Sequence, residues 1–86
     1  MNDLLQNLDR LHTTTMGAVR IKRNLGLQDD AVAWCRAVIL ETEKSSLVTT
    51  VRKGKNWYVN TPDTVITVNA GSYTVITAHK RKKGSV

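Results

Sequence analysis

The sequence predicts an α+β fold, with two to three N-terminal helices packed on one face of a four-stranded antiparallel meander sheet. Three observations carry this. Apolar residues recur at helical spacing through the first half, the period shifts to two after Lys44-Ser45-Ser46, and turn residues divide the second half into short β-branched runs. Helices that precede such a meander can cover one sheet face and leave the other open.

Asn2 or Asp3 is suited to cap a first helix, because a short side-chain oxygen accepts from free N–H groups at a helix start. Leu4, Leu5, Leu8 and Leu11 then form an apolar stripe, which takes this helix to about His12. The β-branched triplet Thr13-Thr14-Thr15 suits a cap better than a helix interior, so a second helix is expected from there to Leu25. Gly26 stands where a left-handed C-cap is wanted, with Leu27 placed to fold back. Asp29 or Asp30 caps a third helix over 31–43, with Val32, Cys35, Val38 and Ile39 on its apolar face and Trp34 alongside.

In the second half, Lys53-Gly54-Lys55 reads as a three-residue hairpin loop pairing Val51 with Trp57 and Thr49 with Val59. That register groups Leu47, Thr49, Val51, Trp57 and Val59 on one face and Arg52, Asn56 and Tyr58 on the other. Asn60-Thr61-Pro62-Asp63 forms the next turn, since Pro62 cannot donate to a ladder. A tight turn over Asn69-Ala70-Gly71-Ser72 then pairs Val68 with Tyr73 and Ile66 with Val75, which sets Thr77 and His79 on the helix-facing side. One domain over 1–83 with a frayed tail at 84–86 is the simplest organisation.

Charge is distributed unevenly. The net charge is +6, yet residues 1–43 hold five basic groups against six acidic ones, while residues 44–86 hold eight against Asp63 alone. A cationic half points to a polyanionic partner, RNA or another polyanion: nucleic acid, an anionic membrane surface or an acidic protein face. Cys35 is the only cysteine, which rules out an intrachain disulfide and fits a cytoplasmic location; its apolar setting reads as a buried thiol. The start of the chain lacks a signal-peptide pattern, and no run approaches the ~20 apolar residues of a membrane span, so no membrane partner is expected. No spacing resembles a metal-ligand pair and no glycine loop could cradle a phosphate, so neither metal nor cofactor is expected.

Two histidines remain with chemistry to offer. His12 and His79 can act as general base and acid near pH 7, and neighbouring cations can stabilise charge on a cleaved phosphate. The alternative reading makes both solvated surface residues. The basic clusters Arg20/Lys22/Arg23, Arg52/Lys53/Lys55 and Lys80/Arg81/Lys82/Lys83, with Tyr58 and Trp57 interleaved in the second, suit single-stranded nucleic acid through phosphate attraction and base stacking. Their plain alternative is the charge of exposed turns and termini.

The blocks Leu11-His12-Thr13-Thr14, Arg20-Ile21-Lys22-Arg23-Asn24-Leu25, Lys53-Gly54-Lys55-Asn56-Trp57-Tyr58 and Tyr73-Thr74-Val75-Ile76-Thr77-Ala78-His79-Lys80 resemble a small bacterial family labelled as a domain of unknown function. That resemblance covers nearly the whole chain and brings no activity. The order of elements is also distantly similar to the barnase, EndoU, colicin and RelE group of metal-independent RNases, many of them toxins or phage-borne effectors. This second resemblance implies RNA transesterification and nominates His12, Arg20, Thr77 and His79 as catalytic residues. The expectation is therefore a basic, RNA-facing domain of toxin-like RNase type. Its rival is a non-catalytic binding module or mobile-element inhibitor that uses the same cationic surface. An antitoxin or inhibited target as protein partner, and a homodimer paired through a strand edge, are further candidates.

Overall fold

The computed structural model describes residues 3–81. The elements run α1 (Asp3–Gln6), a 3-10 turn (Leu8–Arg10), α2 (Thr15–Leu25), α3 (Ala31–Leu40) and a second 3-10 turn (Glu41–Glu43). The strands β1 (Thr49–Lys53), β2 (Asn56–Asn60), β3 (Thr64–Asn69) and β4 (Val75–Lys80) follow. They form one antiparallel sheet in the order β1-β2-β3-β4, so the α+β meander stands as predicted.

The caps explain where α2 and α3 begin and where α2 ends. The Thr14 hydroxyl accepts from the Gly17 N–H at 2.9 Å, and Asp30 Oδ1 accepts from the Val32 N–H at 3.3 Å. Gly26 closes α2 at φ +68°, and the Leu27 N–H donates to the Lys22 carbonyl at 2.9 Å, the six-to-one bond of a glycine-terminated helix. Ile21 and Leu25 of α2, Cys35 and Ile39 of α3, and Leu4, Leu8 and Leu11 of the N-terminal turns are buried in one core.

His12 does not end a helix. The first helix stops at Gln6, and after the 3-10 turn Leu11 is extended at ψ 132°. The next residues lie parallel to the start of β4. The His12 N–H donates to the Tyr73 carbonyl at 3.2 Å, the Val75 N–H donates to the His12 carbonyl at 2.7 Å, and the Thr13 hydroxyl donates to the Val75 carbonyl at 2.9 Å. Arg36 ties the first 3-10 turn to α3, donating from Nε to the Leu8 carbonyl at 3.0 Å, which also accepts from the Leu11 N–H, and from Nη2 to the Leu11 carbonyl at 3.5 Å. The leucine periodicity is met by two short turns, and the unpaired edge of β4 supplies backbone partners that a longer helix would forgo.

The first hairpin register differs from expectation by one residue, and the second by two at its turn and by three beyond a bulge. The first hairpin closes on a two-residue loop, Gly54-Lys55, with Gly54 at φ +62°, and pairs Arg52 with Trp57 and Val51 with Tyr58. Glycine at the first central position matches the turn whose twist suits paired strands. Between β3 and β4 the loop is longer, because Tyr73 adopts φ +59° and belongs to the turn. Its ring is buried and lies 4.8 Å from the Arg10 guanidinium, contacts that hold a backbone geometry uncommon outside glycine. Val68 therefore pairs with Val75. A bulge at Ile76 then shifts the ladder so that Thr67 faces Thr77 and Ile66 faces Ala78.

These shifts decide the faces. Trp57, Val59, Ile66, Val68, Val75 and Ala78 are buried with the helices on one side. Thr77 and His79, expected on that side, lie on the other, and Arg52 stands opposite Tyr58 rather than beside it.

Candidate functional site

The open face is an ordered grid. Its central row runs Val51, Tyr58, Thr67, Thr77; beside it on one side runs Lys53, Asn56, Asn69 and on the other Thr49, Asn60, Val65, His79. Lys53 and His79 are exposed, while Tyr58, Asn60 and Thr77 are half-buried. The Asn56 amide donates to the Tyr58 hydroxyl at 3.4 Å, and the Asn60 amide donates to the Tyr58 carbonyl at 3.4 Å. Over the first hairpin, an open cavity of about 540 Å³ is lined by Val51, Lys53, Gly54, Tyr58 and Asn60.

Arg81 joins this face from the exit of β4. Its N–H donates to the Asp63 carbonyl at 2.8 Å, its Nε to the Thr61 carbonyl at 3.0 Å and its Nη2 to Asn60 Oδ1 at 2.8 Å. A planar guanidinium with two oxygen partners is fixed in orientation. It brings a cation to the Asn60 end of the face, as Lys53 does at the hairpin end.

The other nominated residues are dispersed. Arg20, Lys22 and Arg23 are exposed on α2, in the helical layer. Arg52 lies over the Trp57 ring at 5.5 Å and donates from Nε to the Gly54 carbonyl at 3.0 Å, so its guanidinium has a structural task. Lys55 is exposed in the hairpin turn. Lys80 pairs with Thr64 and shares its side with the core residues, at an exposed strand end. Lys82, Lys83 and the tail at 84–86 lie outside the described residues.

The two histidines are not brought together. His12 Nε2 is 3.1 Å from the Thr74 hydroxyl and its Nδ1 is 2.9 Å from the Arg10 carbonyl, at the beginning of β4. His79 Nδ1 is 3.1 Å from the Lys80 carbonyl, at the far end. Five residue steps lead from Thr74 to His79, about 16 Å of extended chain, well beyond the span of one scissile phosphate and its leaving group. Thr77 and His79 do share the open face with Tyr58, separated from it by one strand or more.

Sequence reasoning missed Val51, Asn60 and the clamp from Arg81. The available signal was Gly54 as the first residue of a two-residue loop, which sets Val51 opposite Tyr58 and Thr49 opposite Asn60. Among the described residues, no group of three or more His, Cys, Asp or Glu side chains could hold a metal ion, and no helix is long and apolar enough to cross a membrane. Burial, with the Asp30 carboxylate adding to it, pushes the Cys35 thiol up to about 12, which leaves it protonated and unreactive at neutral pH.

This architecture defines an α+β domain whose helices come first and cover one face of a four-stranded meander. Within that class, the chain belongs to a family described as a protein of unknown function, DUF3781, whose model matches residues 5–79. No curated protein and no solved structure matches the chain. None of these comparisons shows a likeness to the barnase, EndoU, colicin and RelE group.

Proposed function

We propose that this domain holds single-stranded RNA on the open face of its sheet. The observation that carries the reading is a sheet face without helical cover that presents an aromatic ring, Tyr58, between cations at Lys53 and Arg81. A ring in that position offers a stacking platform for a base, and the flanking cations attract the phosphates on either side. The excess positive charge of residues 44–86 supports the same polarity. Binding without cleavage is favoured, because His12 and His79 stand at opposite ends of β4.

Cleavage is the second reading, and one observation favours it. The bulge at Ile76 turns Thr77 and His79 onto the same face as Tyr58, where His79 alone would serve as the proton-transfer group. One experiment separates the two. Total RNA is incubated with wild type and His79→Ala in chelator, beside retention on immobilised RNA across a salt series. Salt-dependent retention by both proteins with intact RNA supports binding. Cleavage that disappears in His79→Ala supports the enzyme, and the absence of retention at low salt overturns both.

A further inference from the structure

We propose that the cavity over the first hairpin is a nucleotide subsite that prefers uridine to cytidine and adenosine, resting on the reading of the open face as an RNA surface. The cavity, at about 540 Å³, lies within the roughly 300–1,000 Å³ typical of small-ligand sites. Tyr58 and Val51 are cross-strand partners in its lining, giving an aromatic and apolar surface for a base.

Its polar side chains are arranged to donate. Lys53 carries three N–H donors and no acceptor. Asn60 has one orientation, because Arg81 can only donate and its Nη2 stands 2.8 Å from Asn60 Oδ1. The amide nitrogen of Asn60 has two hydrogens, one of which goes to the Tyr58 carbonyl at 3.4 Å, so the other is available to a ligand. The Tyr58 hydroxyl accepts from Asn56 at 3.4 Å and keeps its own hydrogen to give. The five lining residues include no carboxylate.

A ligand for such a lining must bring acceptors. Phosphate oxygens satisfy Lys53, and a base carbonyl satisfies Asn60. Uracil has two carbonyls and no amino group, cytosine one of each, and adenine only an amino group with ring nitrogens. Among these three bases, the number of carbonyl acceptors free of a neighbouring amino group ranks uridine first and adenosine last. Held by Arg81, the Asn60 amide cannot rotate to present its oxygen to an amino group without placing its nitrogen against the guanidinium.

The test is fluorescence anisotropy at low salt with labelled oligouridylate, oligocytidylate and oligoadenylate. Wild type is expected to bind oligouridylate about fivefold tighter than oligoadenylate, the effect of one hydrogen bond, with oligocytidylate between them. Asn60→Asp keeps an acceptor for Arg81 while presenting only acceptors to the base, so it should erase or reverse the preference. Circular dichroism confirms that the variant is folded, and Asn60→Ala provides a second, uncharged variant that should level the three affinities. Equal binding of the three probes by wild type, or a preference that persists in both folded variants, overturns the uridine subsite and leaves the RNA-binding face standing. Failure of every probe to bind removes the face as well.

Discussion

On the helix side of the sheet, Val59, Ile66, Val68 and Ala78 are fully buried and Trp57 and Val75 nearly so. On the other side, the neighbouring positions on the same strands carry Tyr58, Asn60, Thr67 and Thr77, with Lys53 and His79 exposed at the margins. Alternate residues of one backbone thus serve opposite ends. The covered face removes apolar area from water, at about 25 cal/mol per Å². The open face holds polar groups in fixed rows at the ~4.8 Å strand spacing. A substitution on the first face should therefore be read in stability, and one on the second in binding.

The largest effect is expected on the covered side. Ile66 is fully buried at the centre of β3, and Ile66→Ala should destabilise the domain by about 3 kcal/mol in urea denaturation, through lost burial and the cavity left behind. RNA affinity of the fraction that remains folded should not change. A parallel loss of affinity in that fraction would show that the faces are not independent.

Cys35 extends the same contrast to pH. Its thiol ordinarily titrates at 9.0, and in the fold it is pushed up to about 12, chiefly by burial and secondarily by Asp30. The unfolded thiol gives up its proton first, so the protonated native form contributes stability below pH 9.0 that declines as pH rises from there towards 12. A thiol reagent at neutral pH should leave the folded protein unlabelled and react stoichiometrically in denaturant, and Cys35→Ala should flatten the alkaline decline in stability. Rapid labelling of native protein would contradict the burial of this side chain.

Gly54 joins the two faces at the hairpin. A Cβ there would meet nothing within 4 Å, so the cost of Gly54→Ala lies in its φ of +62° alone. That strain should lower stability by about 1 kcal/mol, measured by thermal denaturation. The cavity wall it shares with Lys53 and Tyr58 should keep its RNA affinity if the hairpin register is retained.

The parts of this molecule that were legible in sequence are those governed by short-range chemistry. Thr14, Gly26 and Asp30 mark helix ends because each acts on backbone groups a few residues away. The four strands and their order were visible in the turn residues. What was hidden is parity. A one-residue change in register exchanges the two faces; the first hairpin carries such a change at its turn, whereas in the second the turn shifts by two, which keeps parity, and the bulge at Ile76 adds the odd residue that exchanges the faces of Thr77 and His79. The run Thr74-Val75-Ile76-Thr77 is β-branched throughout, so its composition gives no sign that Ile76 bulges. Tyr73 occupies a backbone region usually left to glycine, which no propensity rule assigns to tyrosine. The leucine stripe reaches His12 and predicts a helix there, whereas the edge of β4 captures its backbone. The open face was obscured by these errors, and Asn60 and its clamp by Arg81 became visible only with the true register.

The finest comparison is between adjacent residues of β1. Arg52 and Lys53 look interchangeable in sequence, but they point to opposite faces. Arg52 lies over Trp57 at 5.5 Å and bonds the Gly54 carbonyl, whereas Lys53 lines the cavity on the open side. Arg52→Gln should lower stability by about 0.5–1 kcal/mol, the usual size of an exposed cation–π contact, with little change in RNA affinity. Lys53→Gln should leave the denaturation midpoint in place and reduce the salt slope of RNA binding by about 0.7, the contribution of one phosphate contact on a single strand. The pair is measured by chemical denaturation and by binding isotherms across a salt series. If the two substitutions shift stability and salt slope alike, position on the sheet does not govern their roles and the charge of the hairpin acts as a diffuse patch. If each moves only its own quantity, the alternation of one strand is enough to separate folding from binding at neighbouring residues.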